Sequence, residues 1–302
     1  MKAHPTPAPP AIAAQAIAPL RPLLYEPLVR AALTEDLGIA GDLTSEATIA
    51  PGTRARAALV ARAPGVLAGL DIALHAFRLL DAQVAADIRV RDGEALEAQM
   101  PIAMLTGDAR GLLGAERTAL NLLSHLSGIA TMTARYVAAV RDTHCAIAET
   151  RKTLPGLRAL QKYAVRAGGG ANHRLRLDDA ILIKDNHIAL AGGIEVALAA
   201  VRARPGHLVK IEVEVDTLGQ LDVVLEHADI IDAVLLDNFS LADTRDAVRR
   251  VGGRAIVEAS GGITLANVAD IADTGVDVIS VGALTHSAVA LDIGLDIERW
   301  RI

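Results

Sequence analysis

Cysteine is almost absent from this chain of 302 residues. Cys145 is the only one, so an intrachain disulfide framework and a zinc site built from several thiolates are both excluded. A single thiol suits a reducing compartment, and we expect a cytoplasmic protein. Aromatic residues form only 2% of the chain and the net charge is -6. Both figures disfavour a nucleic-acid-binding surface, which needs stacking rings and an excess of cations.

Long uncharged apolar runs are also missing, and none approaches the roughly 18 residues of a membrane span. Hydrophobic residues nevertheless form 52% of the chain and charged residues 22%, which is enough apolar surface for a packed globular core. Residues 1–22 are rich in Pro and Ala, and the prolines at 5, 7, 9 and 10 would break the apolar segment of a secretion signal. We predict a disordered tail over residues 1–22.

The first folded part reads as a mixture of helices and short strands. Apolar spacing predicts a helix over 23–37 that ends at Gly38, followed by a turn at 41–44. Between residues 53 and 106, apolar runs alternate with Gly, Pro and Asp turns, which predicts several short strands and one helix. Helical spacing over 114–140 is interrupted at Ser127 and Gly128, which predicts two consecutive helices. The pattern indicates an N-terminal α+β sandwich domain.

Short apolar runs separated by helix-like segments make up the rest of the chain. The six runs are 145–149, 180–183, 209–215, 233–236, 255–259 and 278–282. Such alternation predicts a parallel sheet with right-handed crossovers, and this many units predict a complete or open α/β barrel. A doubly wound open sheet would give the same pattern, because the runs alone do not show closure.

Polar or glycine residues follow each predicted strand, at the rim where parallel α/β folds place their active sites. The first half of the rim is cationic and the second half carries two carboxylates. The cations are Arg151, Lys152, His173, Arg174 and Lys184, and the carboxylates are Glu214 and Asp237. The cations indicate a polyanionic substrate, and the carboxylates suit Mg²⁺ held by phosphate oxygens. The glycine turns after the last two strands are typical of phosphate binding through backbone N–H groups.

Each candidate also has an ordinary structural interpretation. Glu212 and Glu214 could alternate on a solvated strand face, and Asp237 could be a simple helix cap. The glycine triplet 168–170 could be a flexible turn, although residues 172–174 directly after it favour a loop that approaches a ligand. The position of Glu214 and Asp237 at strand ends favours the site, whereas Glu212 fits either interpretation.

Ordered motifs identify the family that the chain resembles. They are ETRKTLPGLRALQKYAVRAGGGANHRLRLDDAILIKDNHI (149–188), ERTALNLLSHLSGIAT (116–131), VEVD (213–216), LLDNF (235–239), EASGGI (258–263) and VGALTHS (281–287). Together with EDLGIAGDLTSEATI near the start, they resemble the quinolinate phosphoribosyltransferases, the decarboxylating nicotinate-nucleotide pyrophosphorylases of NAD biosynthesis. The resemblance runs from about Leu23 to the C-terminus, and so long an ordered set is highly specific.

The resemblance implies an α/β fold in which an N-terminal domain packs on an open, incomplete α/β barrel. In this chain it assigns residues 23–127 plus 288–302 to the N-terminal domain and residues 128–287 to the catalytic barrel. It also implies a homodimer or a higher homo-oligomer, in which Arg117 of one subunit reaches the quinolinate of its neighbour. Neither nucleic acid nor a membrane is expected as a partner.

Residue roles follow from the resemblance as well. It implies that Lys152, Lys184, Glu214 and Asp237 are catalytic, and that substrate is bound by Arg117, Thr150, Arg151, His173, Arg174, Ser260, Gly261, Gly262, Val281, Gly282, Ala283 and His286. The cations of the second set would bind quinolinate, and the residues from Ser260 onward would bind the 5-phosphate of phosphoribosyl pyrophosphate. Glu214 and Asp237 would hold Mg²⁺, largely through substrate and water. No organic cofactor is expected.

The expected reaction transfers a phosphoribosyl group to quinolinate and removes CO₂, which yields nicotinate mononucleotide and pyrophosphate. Such a reaction needs positioning and charge complementarity but no protein nucleophile. One rival hypothesis is a relative that uses nicotinate, and the intact set Arg151, His173, Arg174 and Lys184 argues against it. The other is a non-catalytic binding protein, and retention of both charged halves of the rim argues against that. A lysine-modified carrier module is excluded, because residues 23–134 contain no Lys.

Overall fold

A computed structural model gives the architecture, and it describes residues 17–203 and 206–299. Residues 1–16 of the predicted tail lie outside the described residues, and the tail's last residue begins a short 3₁₀ turn, Pro22–Leu24. The described chain divides into two compact units. One comprises residues 17–134, 153–169 and 284–299, and the other comprises residues 135–152, 170–203 and 206–283.

Helices and short strands alternate in the N-terminal part. In chain order they are α1 (Glu26–Leu37), α2 (Leu43–Thr48), β1 (Arg54–Ala61), β2 (Gly65–Val66), α3 (Leu70–Leu80), β3 (Ala85–Ile88), β4 (Ala95–Leu96), β5 (Pro101–Asp108) and α4 (Ala109–Ala139). The predicted turn at 41–44 is wrong. Asp42 instead caps α2, because its carboxylate accepts hydrogen bonds from the backbone N–H groups of Thr44 and Ser45, each at 3.1 Å.

The six apolar runs of the later chain all form strands. The elements are β6 (Ala146–Ala148), α5 (Arg158–Ala167), β7 (Ile181–Ile183), α6 (Asp185–Ala191), α7 (Ile194–Arg202), β8 (Ile211–Val215), α8 (Leu218–Leu225), β9 (Ala233–Asp237), α9 (Leu241–Val251), β10 (Ile256–Ser260), α10 (Val268–Ala272), β11 (Val278–Ser280), α11 (Ala283–His286) and β12 (Ile293–Arg299). Strands β6 to β11 are short, and each has at least two buried residues, as expected for strands of a covered parallel sheet.

An antiparallel sheet with the order β12-β1-β5-β3 forms the centre of the first unit. The sheet includes β12, so the C-terminal strand pairs with β1 along seven residues of each strand. Asp92 joins two helices of the same unit: its carboxylate accepts hydrogen bonds from Gly69 N and Leu70 N at the start of α3 and from the Tyr163 hydroxyl of α5. Burial and the Asp92 charge raise the pKa of Tyr163, so its hydroxyl stays a donor.

The second unit contains a six-stranded sheet with the order β6-β11-β10-β9-β8-β7, and every neighbouring pair is parallel. From β7 to β11 the strands follow one another in chain order without the reversal that a doubly wound sheet requires. Strands β6 and β7 lie at the two edges, and no ladder joins them in the part of the chain that is described. The sheet is therefore an open, incomplete α/β barrel, which confirms the predicted fold class.

Helix α4 corrects another expectation, because it is one continuous helix through Ser127 and Gly128 rather than two. Gly128 is needed there for packing: a Cβ atom at this position would overlap the backbone carbonyl of Val289. Ser127 is buried, and its hydroxyl accepts a hydrogen bond from Ala68 N at 3.1 Å. Among the described residues, no helix is both long and apolar enough to cross a membrane.

We expect Gly128→Ala to destabilise the protein by about 1–3 kcal/mol, because the added methyl group must displace backbone rather than a flexible side chain. Gly219→Ala in α8 is the matched control, since a Cβ atom there meets only Thr217 Oγ1 at 3.9 Å. The control should be neutral or slightly stabilising. Urea denaturation of both variants measures the difference, and equal midpoints would contradict the close-packing explanation.

Candidate functional site

A cavity of about 420 Å³ opens at the carboxyl ends of the parallel strands. Its walls come entirely from the barrel unit. They are formed by Thr150, Arg151, Lys152, His173, Arg174, Leu182, Lys184, Glu214, Leu235, Asp237, Glu258, Ser260 and Ser280. Nine of these thirteen residues were predicted from the sequence as site residues, so the barrel brings together both charged halves of the rim.

Strand register explains how distant sequence segments meet in this cavity. Leu235 of β9 is paired with Glu214 of β8 on one side and with Glu258 of β10 on the other. Lys184 directly follows β7, one residue beyond the Ile183↔Val213 pair, which places it beside Glu214. Side chains two residues apart on a strand share a face, so each strand contributes alternate residues to the cavity.

The carboxylate half of the site contains one ion pair and one amide contact. Lys184 Nζ donates a hydrogen bond to Glu214 Oε2, and this pair lies at the cavity wall. Asp237 accepts a hydrogen bond from the side-chain amide of Asn238 at 2.8 Å. Glu214 and Asp237 supply hard oxygen ligands without any sulfur donor, and this donor set fits Mg²⁺.

Two arginines dominate the cationic half. The Nε atoms of Arg151 and Arg174 are buried and have no hydrogen-bond partner among the described residues, although Arg174 donates from Nη1 to the Ala180 carbonyl at 3.0 Å. Burial, and next the charge of Arg151, lower the pKa of Arg174. Two buried guanidinium donors without acceptors are costly in a native protein, so this wall is built to receive an anion.

His173 is held in one tautomer by its own backbone. Its Nδ1 accepts a hydrogen bond from Arg174 N at 2.7 Å, and its Nε2 lies 3.2 Å from Glu212 Oε2 and 3.5 Å from Glu258 Oε1. This geometry puts hydrogen on Nε2, which faces the two carboxylates. The role of His173 in binding quinolinate stays a prediction.

Sequence reasoning missed three polar residues around the cavity. Glu258 and Ser280 line it, with exposures of 5% and 2%. Glu149 is fully buried, and its carboxylate accepts hydrogen bonds from Asn172 Nδ2 at 3.0 Å and His173 N at 3.1 Å. The sequence did carry a signal for Glu258 and Ser280. Each lies two residues before a predicted site residue, Ser260 or Gly282, and residues two apart on a strand point to the same face.

Several predicted site residues lie outside the set that lines the cavity. Gly261 and Gly262 follow β10, and a Cβ atom on Gly261 would overlap the Asn238 side chain. Val281, Gly282 and Ala283 follow β11, where Val281 N donates to the Ala148 carbonyl at 2.8 Å. Arg117 on α4 and His286 on α11 belong to the other compact unit. Their roles in substrate binding remain predictions.

The site lies at the strand ends of an open parallel barrel. Those ends carry two arginines with unsatisfied Nε donors, two carboxylates and several glycine turns, and this combination defines an anion-binding α/β enzyme. Family models for the quinolinate phosphoribosyl transferase N-terminal and C-terminal domains match residues 42–127 and 129–296. The chain belongs to the quinolinate phosphoribosyltransferase family.

Known relatives agree over nearly the whole chain. A Mycobacterium leprae protein named nicotinate-nucleotide pyrophosphorylase (carboxylating) is 52% identical over 277 residues, which cover 89% of this chain and 95% of the relative. A Bacillus subtilis protein named as a probable enzyme of this kind is 45% identical, with 87% and 90% covered. The solved Francisella tularensis nicotinate-nucleotide pyrophosphorylase has a TM-score of 0.88 at 38% identity and covers 95% of this chain and 100% of its own.

Proposed function

We propose that this protein transfers the phosphoribosyl group of phosphoribosyl pyrophosphate to quinolinate with loss of CO₂, and so makes nicotinate mononucleotide and pyrophosphate for NAD biosynthesis. The observation that carries the proposal is a pair of half-buried arginines, Arg151 and Arg174, whose buried Nε atoms lack acceptors among the described residues. Quinolinate bears two neighbouring carboxylates that would satisfy both. The family and the names of its members support the same reaction.

Binding follows from charge and geometry. Guanidinium groups hold carboxylates by bidentate hydrogen bonds, so Arg151 and Arg174 receive the two acid groups of the ring, with Thr150 and Lys184 beside them in the cavity wall. A monocarboxylate such as nicotinate would leave one arginine unpaired, at a cost of about 1–3 kcal/mol. Selection of quinolinate over nicotinate therefore comes from desolvated donors that only a diacid satisfies.

Phosphoribosyl pyrophosphate occupies the other half of the cavity. Ser260 lines the cavity at the end of β10, and we place the 5-phosphate there, on the turns 260–262 and 281–283. Lys152 lies in the wall as a point charge for the pyrophosphate. Glu214 and Asp237 would hold Mg²⁺, which when bound neutralises the charge of the departing pyrophosphate.

Charge placement then accounts for the chemistry. The pyridine nitrogen attacks C1 of the ribose as the C1–O bond to pyrophosphate breaks, and the carboxylates of Glu214 and Asp237 face the positive charge that develops on the sugar. The ring nitrogen becomes quaternary, so the electron pair left at C2 by loss of CO₂ is stabilised by the adjacent positive charge. The protein orients two substrates and supplies no nucleophile.

The assembly and the compartment are part of the proposal. We infer a homodimer or a larger homo-oligomer in which Arg117 on α4 completes the quinolinate pocket of a neighbouring subunit, and we infer a cytoplasmic enzyme. Arg117 is a cation of the other compact unit, so its contribution in trans would add a third positive group to a site built for a dianion.

An assay of the wild-type protein tests the reaction directly. Quinolinate, phosphoribosyl pyrophosphate and Mg²⁺ should yield nicotinate mononucleotide and CO₂ in equal amounts, with no product when any one of the three is left out. Mononucleotide made from nicotinate instead of quinolinate would refute the diacid pocket while keeping the phosphoribosyl site. Tight ligand binding without turnover would identify a non-catalytic relative.

Replacing one of the two arginines whose Nε atoms lack acceptors should lower the catalytic efficiency with quinolinate. Arg174→Ala removes a charged hydrogen-bond partner of a substrate carboxylate, which is worth about 1.5–3 kcal/mol, so kcat/KM for quinolinate should fall roughly 10- to 150-fold. Arg176→Ala is the matched control, because Arg176 is exposed in the same loop and does not line the cavity. Steady-state kinetics with both variants decide the matter, and a wild-type value for Arg174→Ala would reject the pocket assignment.

Mixing two inactive variants should test the shared site. Arg117→Ala and Lys152→Ala damage residues that the proposal places on opposite subunits of one site, so a mixed dimer keeps one intact site of two. Co-expression should therefore restore about a quarter of wild-type activity by random pairing. Purification through two different affinity tags confirms that mixed dimers formed, and mixed dimers without activity would show that Arg117 acts within its own subunit.

A further inference from the structure

Glu258 is the one carboxyl group of the cavity wall that the proposed mechanism leaves without a role. Register places Glu258 of β10 beside Leu235 of β9, two strands away from Glu214 of β8. It lies in the same row of inward-facing side chains as Lys184. It is 5% exposed, and its Oε1 atom makes no hydrogen bond to any described residue. A buried carboxyl oxygen that makes no hydrogen bond in a substrate cavity needs an explanation.

The surroundings of Glu258 favour its protonated form. The groups that face it are Glu212 from β8, His173 from the segment after β6, Ser280 from β11 and Cys145 just before β6. Burial, and next repulsion by Glu212, raise the pKa of Glu258 to about 7, and His173 acts in the opposite direction.

The last step of the proposed reaction needs such a proton. When the C2–carboxylate bond breaks, its electron pair stays on C2, and the product carries hydrogen at that carbon. The other donors of the wall are poorly suited. Arginine does not give up its proton, Lys184 is paired with Glu214, and the proposal uses Lys152 at the pyrophosphate. His173 directs Nε2 at Glu212, and the hydroxyl groups of Thr150, Ser260 and Ser280 are weak acids. A neutral carboxylic acid is the strongest acid that remains.

We propose that Glu258 is the general acid that protonates C2 of the ring as CO₂ departs, an assignment that rests on the proposed function. The electron pair released by the C2–CO₂ bond takes the proton of the Glu258 carboxyl group, a C2–H bond forms, and Glu258 is left as the carboxylate. CO₂ leaves as a neutral molecule, so the negative charge of the substrate carboxylate is replaced by that of the Glu258 carboxylate and the total charge is unchanged. Water that enters on product release returns a proton to Glu258.

Glu258→Gln is the decisive variant, because the amide keeps the volume and the neutral charge of the acid but cannot act as an acid of comparable strength. In rapid-quench single turnovers, pyrophosphate release should stay within about threefold of wild type, since transfer does not use Glu258. Formation of nicotinate mononucleotide should slow about 100-fold, the scale of a lost general acid. Quinolinate mononucleotide should accumulate between the two steps.

The pH dependence gives a second readout on the wild-type protein. The protonated acid is the active form, so the decarboxylation rate should be constant below pH 6 and should fall as the pH rises through about 7. Glu212→Gln is the matched control: Glu212 does not line the cavity, and its loss removes the repulsion on Glu258. The variant should reach the wild-type decarboxylation rate only at a pH below its own decline, and that decline should lie at lower pH than in the wild type.

Three outcomes would overturn the assignment. Glu258→Gln that makes pyrophosphate and CO₂ together at the wild-type rate would show that water protonates C2. A folded Glu258→Gln that loses the pyrophosphate burst as well would make Glu258 a positioning residue for the pocket. A wild-type decarboxylation rate that is flat from pH 6 to 8 would refute the acid even if Glu258→Gln failed to fold. Wild-type protein that makes no mononucleotide would refute the proposed function instead.

Discussion

Parallel register in the six-stranded sheet is the constraint on which the site depends. The strands contribute three to five residues each, yet their pairing sets Glu214, Leu235 and Glu258 side by side from three separate segments. Because side chains alternate across a strand, a register shift of one residue would exchange the polar set for the apolar set on the opposite face. Apolar burial between sheet and helices fixes the register, so packing of the core places the charges.

Charge in the cavity is arranged at the expense of stability and in favour of binding. Arg151 and Arg174 are half-buried near each other with buried Nε atoms that lack acceptors, and Glu258 lies beside Glu212 without a full set of hydrogen bonds. Both features are unfavourable in the free protein, and an anionic ligand makes the first of them favourable. The rigid barrel can hold such groups together because its stability comes from elsewhere, chiefly from the apolar residues beneath the rim.

Sequence patterns predicted the barrel strands and most of the cavity because both follow from local signals: short apolar runs, and polar residues at their ends. The signals failed where tertiary contacts decide. Gly128 looks like a helix breaker, but it lies inside α4 because the Val289 backbone needs the space. Glu258 and Ser280 lie within strands, where a polar residue is easily taken for a solvated one. The orientation of the His173 ring depends on a hydrogen bond from the backbone of Arg174, which no spacing reveals.

The carboxylate of Glu149, which does not line the cavity, helps to hold the cavity wall in place. Glu149 is fully buried and accepts hydrogen bonds from the side chain of Asn172 and the backbone of His173, so it fixes the segment that carries His173 and Arg174. His173 and Arg174 in turn set the position of the arginines relative to the carboxyl groups of Glu212 and Glu258. His173 thus connects the backbone of Arg174 with the carboxyl groups of Glu212 and Glu258. In the proposed mechanism, a diacid whose carboxylates are bound by the arginines would turn its reacting carbon toward Glu258, as decarboxylation with proton replacement requires.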